Sequence, residues 1–300
     1  MDAWIPITIA AAFAQNLRFM LQKHLKATQL STAGATFARF LYSAPVVALV
    51  VAVYANLTVQ ALPSMGLRFW AFALSGGLAQ ILATMCVVSL FAARNFAVGV
   101  TFAKTEVLFT VLTGLLLLSE RVSIAGLGAI MTGFIGVVLL SDPPSGQGRW
   151  HRRIFNRASG LGLMSGVLFS VSAVCYRGAS LSLISDDVFL RAALTLSAVT
   201  IAQTLGMLAW LQWREPGQIG KVVAAWKVAG PMGLLSLVGS LCWFTAFTLQ
   251  TAAYVKALGQ IELLFNLVGS YLVFRERIMP RELIAMGFLT GSIVLLILVL

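Results

Sequence analysis

Ten apolar runs follow one another along this chain, at about 4–21, 32–54, 68–92, 96–118, 123–140, 159–178, 188–211, 229–249, 254–274 and 282–300. Each is near the roughly 20 residues that an α-helix needs to cross a hydrocarbon layer. Ten such helices take up about two-thirds of the 300 residues. What remains suffices for short connections and no soluble domain. Only 10% of the residues are charged, against about 25% in soluble domains, so the chain cannot clothe a water-facing surface. The expected fold is an all-α integral membrane protein with ten transmembrane helices. Disordered, disulfide-scaffold and soluble-enzyme classes are excluded. The N-terminal run carries no basic segment before it and contains Gln15, Asn16 and Arg18, so it reads as a retained first helix rather than a cleaved signal.

The runs fall into two sets of five, divided by the polar break that begins Ser141-Asp142-Pro143-Pro144. Asp-Pro-Pro cannot continue a helix, and Gly146 and Gly148 keep the segment loose. The expected units are residues 1–142, a linker at 143–157, and residues 158–300. The units are copies. Residues 77–121 lie over 233–277 without a gap, pairing Gly77 with Gly233, Cys86 with Cys242, Glu106 with Glu262, Glu120 with Glu276 and Arg121 with Arg277. Apolar composition alone does not produce two glutamates spaced alike in both halves. Five helices per copy turn the second copy upside down in the bilayer. Two inverted five-helix repeats around a central cavity are the plan of a secondary transporter, with its site between the halves.

Glu-Arg closes the fourth run in Leu118-Ser119-Glu120-Arg121, and again in Phe274-Arg275-Glu276-Arg277, with a Gly-rich fifth run after the first. This pattern resembles the EamA-type half of the drug/metabolite transporter superfamily, and the whole chain is most similar to its amino-acid exporters, the aromatic amino-acid exporters of the YddG type in particular. The resemblance implies export of amino acids, neutral and aromatic ones included, across a bacterial-type inner membrane by alternating access. Family members often carry proline in the fourth helix just after the position of Glu106. Here Val107 and Leu263 stand there, so a kink at those points is not implied.

The net charge of +11 sits mostly in short loops, without an aromatic-interleaved basic domain, which excludes nucleic acid as a partner and points to lipid headgroups. Odd-numbered loops hold Lys23, Lys26, Arg94, Arg149, Arg152, Arg153, Arg157, Arg214, Lys221, Lys227, Arg275, Arg277 and Arg281. Even-numbered loops hold only Arg68, Arg121 and Arg177. The bias places the linker in the cytoplasm and both termini outside, opposite to the usual drawing of the family.

Charge inside a bilayer costs at least about 2.5–3.5 kcal/mol at a helix centre, so it faces partners or a cavity. The candidates are Arg39, Lys104, Glu106, Arg191 and Glu262. Arg39 matches Glu106 in depth, and Arg191 matches Glu262, which suggests structural ion pairs. Lys104 either binds a substrate carboxylate or pairs with Glu262 across the repeat axis. Lys104 and Glu106 are two residues apart on one expected helix, so they point to nearly opposite sides. Lys256 lies near a helix start and reads as snorkelling. Gln15, Asn16, Gln80, Tyr176, Trp243, Tyr254, Gln260 and Asn266 complete an expected cavity wall, in which a few placed polar groups interrupt an apolar surface.

Cys86, Cys175 and Cys242 lie inside apolar runs, and only His24 and His151 exist. Neither a metal set nor a cofactor site is expected. Glycine spacings at 162/166, 287/291 and along 126–136 permit close helix approach, within a monomer or at a dimer face. The leading expectation is a transporter of amino acids. Another small metabolite, drug or nucleotide sugar is the alternative, and an intramembrane enzyme the remote one.

Overall fold

The computed structural model describes residues 2–28, 30–90, 102–140, 157–265 and 280–299. Among these residues the protein is wholly α-helical. In chain order the helices are α1 Trp4–Thr28, α2 Thr32–Thr58, α3 Leu67–Leu90, α4 Glu106–Leu118 and α5 Ile124–Leu140. They continue with α6 Arg157–Leu181, α7 Val188–Arg214, α8 Gln218–Ala224, α9 Trp226–Leu249, α10 Ala252–Gly259 and α11 Pro280–Val299. Five of them (α2, α3, α6, α7 and α9) are long and apolar enough to cross a membrane. Leu49, Leu57, Leu74, Leu78, Leu116 and Leu205 lie on the outside of the bundle. Such an exterior suits lipid rather than water. The chain is a membrane-spanning helical protein.

Most helices begin close to where the apolar runs begin. The short α8 was not foreseen. It sits in the connection after α7 and packs beside α2: the Gln218 Oε1 accepts from the Ser31 N–H at 3.2 Å, and the Tyr42 hydroxyl donates to the Val222 carbonyl at 3.2 Å. The linker between the halves lies outside the described residues up to 156, as do residues 266–274 of the ninth apolar run.

Helices equivalent under the 156-residue offset lie against each other. α2 and α7, whose bounds differ by that offset at both ends, pack together. Tyr54, near the end of α2, donates to the Asp187 carboxylate at the start of α7 at 2.8 Å, and its ring meets Phe189 with centroids 4.7 Å apart. Arg39 and Ser43, nearer the start of α2, face Thr200 and Gln203 further along α7. The two helices are therefore antiparallel. α5 and α11 repeat the arrangement. Gly136 abuts Ala285 and Leu289, Gly133 abuts Ser292, and the Ser292 hydroxyl donates to the Ala129 carbonyl at 2.7 Å. A methyl group at Gly136 would stand 2.9 Å from the Ala285 carbonyl, so glycine is what lets these backbones close. In lipid, helix association rests on such close contact and on interhelical hydrogen bonds. α3 packs on α6, and α9, the equivalent of α3, packs on α1, the equivalent of α6.

Asp187 ties three parts of the bundle. It caps α7 by accepting from the Leu190 N–H at 2.9 Å, and it accepts from Tyr54 and from Gln60 at 3.2 Å. Partial burial works to raise its carboxyl, but these donors outweigh it and hold the group below the usual carboxylate range. A carboxyl depressed in the folded state adds stability above its unfolded value, near pH 4, and loses it as pH falls through the folded one. Asp187→Ala is expected to cost about 1 kcal/mol through the lost cap. Wild type should lose that margin on acidification while the variant does not, as read by unfolding in mixed micelles at neutral and acid pH.

Candidate functional site

Both fourth helices are interrupted at the same place. Residues 102–103 are helical, Lys104 and Thr105 form a turn, and α4 restarts at Glu106. In the second half α10 ends at Gly259, Gln260 turns, and helix resumes at 261–265. Thr105 and Gln260 have nearly the same backbone angles, φ −62° and ψ −9° against φ −62° and ψ −10°. Short i to i−3 bonds bracket each turn: Thr105 N–H to Phe102 O at 3.2 Å and Gln260 N–H to Ala257 O at 3.2 Å. Tightened turns of this kind often mark functional sites. Without the proline no kink was implied at Val107 or Leu263, yet the chain is broken just before each, at 104–105 and at 260. Glycines make room for it. Gly166 of α6 abuts Thr105 and Glu106, while Gly259 lies against the Trp243 ring.

The breaks bring four intramembrane charges into one network. Lys104 pairs with Glu262, and Lys256 pairs with Glu106 at 3.5 Å. Each glutamate therefore meets a lysine from the other half. Gln15 of α1 links them: its amide donates to Glu262 at 2.9 Å, and its oxygen accepts from the Trp243 indole N–H at 3.1 Å. The Lys256 ammonium lies 4.9 Å from the centre of that same indole ring, with Phe169 and Phe247 on further sides. An ammonium over aromatic faces is stabilised by their quadrupoles, more strongly when desolvated.

Several expectations are corrected here. Arg39 does not pair with Glu106, nor Arg191 with Glu262. Matching depth says nothing about which way a side chain points around its helix. Lys104 and Glu106 do not diverge, because the turn between them removes the helical spacing that would separate them. Of the two roles open to Lys104, the pairing with Glu262 is the one observed. Lys256 is buried and paired rather than snorkelling. Tyr254 is a packing residue, its hydroxyl accepting from the Ser123 N–H at 3.1 Å where α5 begins. Arg191 donates to the Ser180 carbonyl at 3.0 Å. Gln260 is buried at the break. Asn16 is buried on α1, and no hydrogen bond joins it to the network among the described residues. Asn266 lies outside the described residues.

A second polar group lies between α2, α3, α7 and α9, around a narrow cleft. Arg39 enters it from α2. Its Nε donates to Ser236 at 2.9 Å, one Nη to Ser240 at 3.2 Å and the other to Thr84 at 3.5 Å. Across the cleft the Gln80 oxygen accepts from the Tyr176 hydroxyl at 2.9 Å and from Gln203 at 3.0 Å. Gln80 and Tyr176 were expected in a cavity wall. Gln203, Ser236, Ser240 and Thr84 were missed. The repeat carried a signal for three of these, since the offset lays Gln80 over Ser236 and Thr84 over Ser240, polar at i and i+4 in both copies of one helix. Glu120 of the first Glu-Arg motif pairs with Arg177 of α6, which also donates to the Phe247 and Gln250 carbonyls at the end of α9. That glutamate closes helix ends together.

The sequence matches no family model and no curated protein. A protein of known crystal structure, 14% identical, shares the fold with a TM-score of 0.75, over 99% of this chain and 97% of that one. The likeness is one of fold alone.

Removing one partner of a buried pair strands the other charge, at about 3–5 kcal/mol. Glu262→Gln should therefore destabilise the protein by an amount in that range, and the double variant Lys104→Met with Glu262→Gln should recover much of it. Unfolding of the two single variants, the double and the wild type in mixed micelles gives the coupling directly. Additive losses would dissolve the pair.

Proposed function

We propose that the chain is a secondary transporter that moves small zwitterionic metabolites, amino acids foremost, outward across an inner membrane by alternating access of two inverted five-helix halves. The observation that carries this reading is the crosswise pairing of Lys104 with Glu262 and Lys256 with Glu106 at two equivalent helix breaks. A structural scaffold gains nothing from placing four charges where each half must hold the other's. A transporter does, because such contacts can be made in one state and exchanged in another. Interrupted helices at the seam between repeats are where transporters hold substrate and coupling ions, with backbone groups released for binding. The antiparallel contacts of α2 with α7 and of α5 with α11 support the inverted arrangement.

The choice of amino acids rests on the sequence resemblance together with the chemistry of the interior. Buried cations, carboxylates and amide groups in an apolar wall suit a molecule that carries both charges and a variable tail. The pairing of Lys104 with Glu262 neutralises the lysine, so Lys104 now reads as part of the seam rather than as the group that grips a carboxylate. Transport needs no metal or cofactor in this reading.

Counterflow tests it. Proteoliposomes loaded with unlabelled amino acid should transiently accumulate the labelled one from outside, across a panel that spans small, branched and aromatic side chains. Folded protein that accumulates none of them would remove amino acids as the cargo.

A further inference from the structure

We propose that the Arg39 cleft is an anion site that takes the carboxylate of a small monocarboxylate ligand, with the Arg39 guanidinium as its anchor. The ligand class rests on the transport reading above; the site itself rests on the following geometry.

Arg39 is 6% exposed, yet among the described residues no carboxylate lies within ion-pair distance of it. It differs in this from Lys104, Lys256 and Arg177, each of which has a glutamate. The three partners of Arg39 are neutral hydroxyls. A guanidinium has five N–H groups in a fixed fork, so two remain. The hydroxyl hydrogens of Ser236 and Ser240 likewise have no acceptor among the described residues. The wall around Arg39 is thus rich in donors and contains no negative charge.

A buried cation without a counter-charge is costly, and another arginine interacts with it. Arg18 of α1 is also buried, makes interactions of its own, and is near enough to Arg39 for the two to repel. An anion in the cleft would relieve that repulsion and engage the idle donors. The planar fork suits the two oxygens of a carboxylate. A phosphate, at close to two negative charges near neutral pH, would call for a further cation on the wall, and Arg39 is the charged residue there. Ser236 and Ser240 hold the guanidinium from one side and so fix its plane. They are positioning residues.

The test measures melting temperature of the purified full chain in detergent with sodium acetate, sodium phosphate or sodium chloride at matched ionic strength. Wild type, R39K and R39Q are compared, with counterflow of the labelled amino-acid panel run on wild type in parallel. Acetate should raise the wild-type melting temperature more than chloride or phosphate does. Its half-effective concentration should rise about tenfold or more in R39K, which keeps the charge but loses the fork. In R39Q acetate and chloride should act alike. If R39Q does not fold, R39K decides: an unchanged acetate response there overturns the proposal. So does an equal acetate response in wild type and folded R39Q, or phosphate outperforming acetate. Counterflow across that panel separates the two claims. Absent counterflow with an Arg39-dependent acetate effect refutes amino-acid transport and leaves the anion site standing; active counterflow with an acetate response indifferent to Arg39 refutes the site alone.

Discussion

Two lysine–glutamate pairs, each joining one half of the chain to the other, govern how this molecule is built. Four ionisable groups in an apolar bundle are tolerable only if every charge has a partner, and the ion pair that each of these makes reaches into the other half. Lys104 without Glu262, or Glu106 without Lys256, would be a bare charge in hydrocarbon. The halves are thereby obliged to meet, and to meet in one register. The interrupted helices follow from the same need. A continuous helix through 104–106 would send Lys104 and Glu106 to opposite faces; the turn at Thr105 lets both reach the seam. The indole of Trp243 completes the arrangement, donating its N–H to Gln15 on the network while its ring faces the Lys256 ammonium.

Around this seam the rest of the bundle is assembled by contact rather than by exclusion of water. Lipid tails are as apolar as leucine, so a leucine gains little by turning inward. Large side chains accordingly line the exterior. Glycine, serine and alanine fill the contact between α5 and α11, where Gly133, Gly136, Ser292 and Ala285 meet. Polar side chains that cross helices are spent on defined jobs: Asp187 at the head of α7, Arg177 at the end of α9, and Tyr254 at the start of α5. Arg39 is the exception, a cation held by hydroxyls at the edge of a cleft.

Much of this was legible in the sequence. The offset that pairs Glu106 with Glu262 also gives the bounds of α2 and α7, because the apolar runs there end at polar caps such as Ser31 and Asp187. Trp243 and Gln15 were picked as polar features of an apolar wall, and the structure joins them by a hydrogen bond. What hydrophobicity could not convey was direction. A run of leucine and valine looks the same whether or not it contains a turn, so the breaks at 104–105 and 260 left no trace in it. Depth along a helix was readable and azimuth was not, which is why Arg39 was assigned to Glu106. Lys256 was misjudged because the ninth run was taken to begin at 254, and a residue two places in looks like an end. Gln203 had no equivalent to flag it, since its repeat mate is Val47.

The proposed inverted repeat requires five spans per half, because an odd number alone would invert the second copy and bring Glu106 and Glu262 to the seam from opposite sides. The direct measurement is labelling of single cysteines by a membrane-impermeant reagent in intact cells, one cysteine placed in the 145–157 linker and another after Leu300, in a chain whose native cysteines are replaced by alanine. The account predicts labelling of the C-terminal cysteine and protection of the linker cysteine until the membrane is permeabilised. Equal labelling of both positions would place linker and C-terminus on one side, which requires an even number of spans in the second half and contradicts the inverted repeat.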